Sequence, residues 1–269
     1  MRALKRLAWF FGPLRAGSGG RVVRIGYREA AEMRGDPEVA ESAASLKWFF
    51  AHASVGSNII DGLADLHANS EQLFPLRHIF SSASPRDDTE PGVIYEHNRG
   101  NPGWKRKCDL FEQAIRAGWR APRVDAAINK LCYVDRFANL NYYLHSMREL
   151  EVAFPRTKFV YVTMPLTAAR DSANFRRHKF NTALRKWISI NGGILFDLAD
   201  IESHDANGNP CVFDYKGETC ERLFDGYTED GGHLAGAGRQ LAAKGFYALA
   251  KVIREDKESE GSRAARGVA

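Results

Sequence analysis

Three residues of this 269-residue chain have the side-chain types that nucleophilic catalysis needs. Ser54 follows the apolar run LKWFFAHA, and Asp230 and His233 stand three positions apart in the segment YTEDGGHLAGAG. A serine becomes a good nucleophile when an imidazole takes its proton and a carboxylate orients that imidazole. The two glycines between the acid and the histidine allow a backbone tight enough to turn both side chains toward one centre. The same spacing also fits an aspartate that caps a helix and a histidine on the surface, so the triad depends on the fold.

The elements around these residues predict how they could meet. From residue 46 onward, short apolar runs alternate with longer helical patterns, which is typical of repeated βα units and a parallel sheet. We predict five strands, in the runs LKWFFAH, GVIYEH, VDAAINKLCYVD, KFVYVTMPL and GGILFDLAD, and a final helix in GAGRQLAAKGFYALAKVIRE. The fold class is therefore α/β, a flavodoxin-like three-layer α/β/α sandwich with a five-stranded parallel sheet. In such a fold Ser54, after the first strand, and the Asp-His pair, before the last helix, share one sheet edge.

This order of residues resembles the SGNH hydrolases, also called the GDSL esterase/lipase superfamily, over residues 46 to about 254. In that family a serine follows the first strand and an Asp-x-x-His segment precedes the last helix. The resemblance implies that Ser54 is the nucleophile, that His233 is the base and that Asp230 orients it. It implies a serine esterase that needs no metal and no organic cofactor.

The chain departs from the family at the residues that would surround the reacting oxygen. The family's Gly-Asp-Ser block reads HAS here, ending at Ser54. Its oxyanion donors are the serine amide, the amide of a glycine after the second strand, and an asparagine in a Gly-x-Asn-Asp block after the third. Ser54 and Gly100 match the first two donors, but residues 130–135, KLCYVD, contain no asparagine. Asn101 is a candidate substitute, with a turn residue before Pro102 as the alternative.

Several neighbouring residues are candidates for supporting roles. His52 lies two residues before the serine and would share its strand face, either near substrate or as a hydrogen-bonded structural histidine. Gly56 is expected to permit the turn after the serine, and Asp135 either positions a neighbour or is a solvated strand-end carboxylate. Lys130, inside an apolar run, either extends to the sheet edge or pairs with an acid. His97 lies near the candidate glycine donor; the histidines show no metal-ligand spacing, so we predict no metal site.

Composition narrows the classes of partner. Lysine and arginine number 38 against 33 aspartate and glutamate, a formal net charge of +5, and no basic motif with interleaved aromatic residues is present. We therefore expect no nucleic-acid partner. No run of about 18 apolar residues occurs, so no transmembrane segment is predicted. The basic residues before LAWFFGPL resemble a signal peptide weakly, with a surface anchor or an ordinary terminal segment as alternatives.

The chain is expected to divide into three parts. Residues 1–45 form a partly ordered basic segment, residues 46–256 form the hydrolase domain, and residues 257–269 form a disordered tail rich in polar residues. Cys211 and Cys220 bracket a short loop and are either a disulfide or two free thiols. The compartment stays open between cytoplasm and periplasm, although such a bridge would favour an oxidising one. The oligomeric state is not predicted.

The proposed substrate is an acyl or acetyl ester of a carbohydrate or another small polar molecule. Relatives with altered first blocks include carbohydrate esterases and O-acetyltransferase-like proteins of bacterial polysaccharide modification, and the polar stretch 202–227 suits a hydrophilic ligand. Two alternatives remain. The first is an O-acyltransferase acting on polysaccharide with the same triad, and the second is a catalytically silent carbohydrate-binding module on the same fold.

Overall fold

A seven-stranded sheet forms the centre of the computed structural model, which describes residues 21–81 and 84–266, with side chains up to residue 259. Every neighbouring pair of strands is parallel, and the spatial order is β1-β7-β6-β5-β2-β4-β3. The strands are β1 Val22–Ile25, β2 Trp48–His52, β3 Arg77–Phe80, β4 Val93–Asn98, β5 Ala126–Asn129, β6 Lys158–Val162 and β7 Gly193–Phe196. All seven therefore direct their carboxyl ends to one edge.

Helices cover both faces of this sheet. One layer holds α1 Tyr27–Glu32, α2 Pro37–Ser45, α3 Val55–Asn69, α7 Leu198–Glu202 and α8 Gly236–Arg266; the other holds α4 Trp104–Ala117, α5 Leu140–Ala153 and α6 Ser172–Asn191. Alternation along β2 feeds both cores, because Trp48 and Phe50 pack on the α8 side while Phe49 packs with α4. The sandwich therefore has two apolar cores separated by a sheet that is buried on both faces.

The predicted fold class is confirmed, with seven strands instead of five. The five predicted strands are β2, β4, β5, β6 and β7, and their spatial order is 2-1-3-4-5, which is the flavodoxin-like arrangement. The two additional strands lie at the sheet edges. β1 is only four residues long, and β3, sequence RHIF, has no fully buried residue, so neither carries a strong apolar pattern. The third predicted strand is also shorter, because residues 130–135 leave the sheet and end in a 3-10 turn at Tyr133–Asp135.

The predicted domain boundaries need correction at both ends. β1, α1 and α2 precede residue 46 but belong to the sandwich, since Ala30, Val39 and Ala43 are buried in the core that α8 also lines. At the other end α8 continues to Arg266, and Lys257 pairs with Asp125, so the predicted disordered tail is largely helical. The predicted signal-like or anchoring segment falls within residues 1–20, outside the described residues.

The polar stretch after α7 contains a two-stranded antiparallel hairpin, β8 Val212–Tyr215 and β9 Glu218–Glu221. Cys220 pairs with Phe213 across this hairpin, and Cys211 and Cys220 are both free thiols. The structure therefore favours the second of the two alternatives for these cysteines. Within residues 21–81 and 84–266, no helix combines the length and the apolar character needed to cross a membrane.

A chain that begins at residue 46 should lose much of its stability, because removing β1, α1 and α2 uncovers one side of α8. Burying a single aliphatic side chain contributes about 1.5–3 kcal/mol, so the free energy of unfolding should fall by at least about 3 kcal/mol. Urea unfolding followed by circular dichroism measures this loss, with a chain that begins at residue 21 as the matched control. Equal unfolding midpoints for the two chains would restore the boundary at residue 46.

Candidate active site

Ser54 sits at the junction between β2 and α3 in an unusual backbone conformation. Its φ is 55° and its ψ is −113°, a region that residues with a side chain seldom adopt. The Ala53 carbonyl accepts the Gly56 amide at 3.0 Å, and the Ser54 carbonyl accepts the Ser57 amide at 2.7 Å, so the helix begins immediately after the serine. The strand order places this junction where neighbouring connections run in opposite directions, the usual location of sites in such sheets.

The structure brings the three predicted triad residues together. Ser54 Oγ lies 2.7 Å from His233 Nε2, and His233 Nδ1 lies 2.6 Å from Asp230 Oδ2. This arrangement assigns the ring proton to Nδ1, where it is donated to the carboxylate, and leaves Nε2 to accept the serine hydroxyl proton. The alternative of a capping aspartate with an unrelated surface histidine therefore does not describe this segment.

Backbone amides hold Asp230 as a carboxylate. Asp230 Oδ1 accepts the amide of His233 at 2.7 Å and the amide of Gly232 at 2.9 Å. These backbone hydrogen bonds, that of His233 above all, together with the one from the His233 ring, hold the pKa of Asp230 well below its ordinary value. Asp230 therefore remains ionised at neutral pH.

The loop that carries His233 is fixed to the rest of the site by contacts that sequence reasoning missed. Asn58 follows Ser54 by one turn in α3, and its Oδ1 accepts the amide of Leu234 at 3.1 Å. The carbonyl of Gly231 accepts the amide of Ala168 at 2.9 Å, which ties the same loop to the segment after β6. No pattern in the sequence singles out Asn58, because another polar residue, Asp61, follows it one turn later in α3. These bonds set the position of the imidazole over Ser54.

Tyr133 is a further site residue that the sequence did not single out. Its ring lies edge-on to the His233 ring, with centroids 5.5 Å apart, and its hydroxyl is 3.5 Å from His233 Nε2. The Arg177 Nε donates to the Tyr133 carbonyl at 2.8 Å, and Gly232 approaches the ring so closely that a Cβ would lie 3.3 Å from it. Burial raises the pKa of Tyr133, so the hydroxyl stays protonated and can donate.

The candidate oxyanion donors Gly100 and Asn101 lie on the loop after β4, and both already form hydrogen bonds within the protein. The Gly100 amide, at a residue with φ +62°, donates to the Asn98 side chain at 3.1 Å and would have to leave it to serve a substrate. The Asn101 side-chain oxygen accepts from Lys107 Nζ at 2.8 Å, which leaves the amide N–H2 end of Asn101 as the donor. Buried Lys107 also pairs with Asp135 at 2.5 Å. Asn101 is thus oriented by a salt bridge beneath it.

Asp135 fits one of its two predicted alternatives, that of positioning a neighbour, whereas Lys130 fits neither of its own. Asp135 is buried, pairs with Lys107 and accepts the Cys132 amide at 2.7 Å, so it is not a solvated strand-end carboxylate. Lys130 is also buried, but it forms no ion pair within the described part of the chain and donates instead to the Ala53 carbonyl at 3.2 Å. Burial lowers the pKa of Lys130. The side-chain hydrogen bond of Lys130 therefore holds the backbone of Ala53, the residue before Ser54.

His52 is not part of the triad; it belongs to a series of hydrogen bonds that runs through Glu96 to His78. Its Nε2 lies 3.0 Å from Glu96 Oε2, and Glu96 Oε1 lies 2.9 Å from Nδ1 of His78. Gly56 is needed for a reason other than the predicted turn: a Cβ at Gly56 would lie 2.4 Å from the Cβ of His52. His97 packs its ring near Phe49, and burial lowers its pKa to about 4. In residues 21–81 and 84–266, no group of three or more potential ligands could hold a metal ion.

Comparison with known proteins finds similarity only among solved structures. No protein-family model matches the chain, and no curated protein matches it. A GDSL-like lipase from Bacteroides thetaiotaomicron is 10% identical, with 87% of this chain and 95% of that chain covered and a TM-score of 0.45. A mutant of an acetyl-xylooligosaccharide esterase from Geobacillus Stearmophilus is 12% identical, with 77% and 94% covered and a TM-score of 0.44.

The chain is similar in fold to GDSL-type hydrolases. The fold class itself rests on the strand order of this chain, and what the site can do rests on the contacts of its own side chains.

Gly56→Ala should destabilise the protein, because the new Cβ would collide with the buried His52 side chain. Overpacking a closely packed site of this kind costs about 1–3 kcal/mol. Ser57→Ala creates the same side chain at the next position of α3 and is the matched control. Urea unfolding of both variants measures the difference, and equal stabilities would show that His52 can move aside.

Glu96→Gln should change the acid dependence of stability. Burial raises the pKa of Glu96, but the hydrogen bonds from His52 and His78 outweigh it and lower the pKa to about 2, from an ordinary 4.5. For an acid with a depressed pKa, the stabilisation is complete above the unfolded value and is lost as pH falls toward the folded value. The advantage of the wild type over Glu96→Gln should therefore be largest between about pH 4.5 and 6.5 and shrink toward pH 2. It should also decline above pH 6.5, because the contact with Glu96 raises the pKa of His78 and that stabilisation is lost as His78 deprotonates. Unfolding free energies across this range test it, with the exposed Glu90→Gln as control; an advantage that persisted unchanged below pH 3 would contradict it.

Proposed function

We propose that the protein is a serine ester hydrolase and a divergent member of the SGNH superfamily. The single observation that carries this proposal is the continuous hydrogen-bonded series from Ser54 Oγ through the His233 ring to Asp230. A nucleophile, a base and an orienting acid within hydrogen-bond reach form the arrangement used for acyl transfer. Strain at the Ser54 backbone supports the same conclusion, because such strain concentrates at active sites.

The geometry suggests how each residue acts. Ser54 Oγ attacks the ester carbonyl carbon while its proton passes to His233 Nε2, and Asp230 stabilises the imidazolium. Collapse of the tetrahedral intermediate breaks the bond to the alcohol, which takes the proton from His233 as it leaves. A water molecule then attacks the acyl-serine and gives a proton to the same nitrogen. Collapse of this second intermediate breaks the bond to Ser54 Oγ, which takes that proton back as the carboxylic acid is released.

The oxyanion is proposed to be stabilised by the amides of Ser54 and Gly100 and by the side-chain amide of Asn101. Asn101 would then replace the asparagine that the KLCYVD segment lacks, and Lys107 would fix its orientation. Tyr133, whose hydroxyl lies near His233 Nε2, is positioned to contact the departing alcohol. The substrate class is proposed to be an ester of a carbohydrate or another small polar alcohol, which suits the polar groups around the triad.

Ser54→Ala and His233→Ala should each abolish hydrolysis of 4-nitrophenyl acetate. The expected loss in kcat/KM is on the order of 10³-fold or more, because each change removes an essential member of the triad. A fluorophosphonate probe should label the wild type and Ser57→Ala but not Ser54→Ala. Circular dichroism establishes that the variants remain folded. Failure of the probe to label the wild type, while a serine esterase reacts in parallel, would reject the proposal; a product acylated on added glycan in preference to water would make the protein an acyltransferase.

A further inference from the structure

A cleft of about 380 Å³ lies directly beside the triad. Tyr133 and Asp230, both of which contact His233, form one side of it, and the loops after β5 and β6 form the rest. Two arginines line it, Arg136 from the first of these loops and Arg177 from α6. A ligand group in this cleft would therefore lie next to the imidazole that protonates the leaving alcohol.

Arg177 is a buried cation whose hydrogen-bond partners are all neutral. It is 4% exposed, and its guanidinium donates to the Tyr133 carbonyl at 2.8 Å, to Thr167 Oγ1 at 3.0 Å and to Asn174 Oδ1 at 2.9 Å. Its terminal Nη2 makes no hydrogen bond to the described residues. Burying a charge without an opposite charge is costly, and a bound anion would offset that cost.

Two further guanidinium groups lie close to this cation. Arg136 and Arg176 both lie over the ring of Phe137, at 5.0 Å and 4.8 Å from its centroid, and Phe137 itself is 61% exposed. Neither these two arginines nor Arg177 forms an ion pair within the part of the chain that the structure describes. Two of them, Arg136 and Arg177, line the cleft, so two positive charges without a paired carboxylate face it.

The carboxylates of the cleft are already engaged by their own loops. Asp230 accepts from His233 and from two amides, and Asp171 caps α6 by accepting the Asn174 amide at 2.8 Å. Asp171 raises the pKa of Arg177, but burial, the largest influence, lowers it. Two arginines and two carboxylates therefore line the cleft, and the carboxylates are held by their own loops instead of pairing with the arginines.

We propose that this cleft binds an anionic group on the alcohol part of the ester substrate, with Arg136 and Arg177 as its donors. This inference rests on the proposed esterase function, because the cleft is assigned to the alcohol part of the ester from the proposed role of His233 in protonating the leaving alcohol. A guanidinium group matches the paired oxygens of a carboxylate, a phosphate or a sulfate group. The substrate class is thereby narrowed from polar esters to esters of anionic alcohols.

The test compares acetate esters that differ in charge on the alcohol. Phenyl acetate is the neutral ester, and its 4-carboxylate, 4-phosphate and 4-sulfonate derivatives carry the anion; rates are corrected for the reactivity of each ester toward hydroxide. The wild type should favour at least one anionic ester, mainly through a lower KM. Arg136→Gln should reduce that preference, measured as the ratio of kcat/KM for the anionic ester to kcat/KM for phenyl acetate, about tenfold or more, since one charge-assisted contact is lost. Arg156→Gln, at the opposite edge of the sheet, makes the same change in net charge and should keep the preference.

A binding measurement separates this inference from the proposed function. 4-Hydroxybenzoate, 4-hydroxyphenyl phosphate and 4-hydroxybenzenesulfonate are titrated into Ser54→Ala and into Ser54→Ala/Arg136→Gln, with phenol as the neutral reference. At least one anion should bind more tightly than phenol, and the second substitution should weaken it about tenfold or more. If the anions bind but no ester is hydrolysed, the cleft stands and the esterase proposal fails. If esters are hydrolysed but no anion binds above phenol and Arg136→Gln leaves the preference unchanged, the inference is overturned.

Discussion

The backbone conformation of Ser54 is the constraint on which the rest of the site depends. A residue with a side chain held in this region costs on the order of 1–3 kcal/mol, and it persists only where its surroundings fix it. Here the carbonyl before the serine accepts hydrogen bonds from the Gly56 amide and from Lys130 Nζ. His52 packs against Gly56 from below, which leaves no room for a side chain at that position. The position of Ser54 is therefore fixed by the end of β2, the start of α3 and the buried side chain of Lys130.

A single buried guanidinium joins the strand ends beneath this junction. Arg99 donates to the carbonyls of Ala51, Lys107 and Lys130 and to the side chain of Asn129, at 2.6 to 2.8 Å. These partners lie on or next to β2, α4 and β5, the elements that meet beside the serine. Burial lowers the pKa of Arg99 to about 10, so it keeps its charge at neutral pH. These contacts hold the loops after β4 and β5 beside Ser54, although the chain lacks the Gly-Asp-Ser and Gly-x-Asn-Asp blocks of the SGNH hydrolases.

The sequence predicted the elements whose patterns are local and missed those that depend on distant contacts. β2, β4, β5, β6 and β7 are apolar runs between helical segments, and the Asp-x-x-His spacing is visible without a fold. β1 and β3 are four residues long and lie at the sheet edges, and β3 is mostly exposed, so neither gives the longer apolar run by which the other strands are recognised. Tyr133 could not be recognised because its role arises from a contact with His233, one hundred positions later. Lys130 was misread because its partner is a backbone carbonyl, which no side-chain pattern reveals.

Buried and exposed charged groups behave differently in this site. Burial favours the neutral form of the deep groups, whereas the exposed Asp230 stays ionised. Below the serine, Lys130 and Glu202 are buried, and burial shifts each toward its neutral form, lowering the pKa of Lys130 and raising that of Glu202 to about 8. At the surface Asp230 keeps a full negative charge, because two backbone amides and the imidazole satisfy it. Asp230 and Asp171 line the same cleft as Arg136 and Arg177 and offset part of their charge, but neither carboxylate forms an ion pair with these arginines. Because each carboxylate is already held by hydrogen bonds from its own loop, both guanidinium groups remain available to the anion that the cleft is proposed to bind.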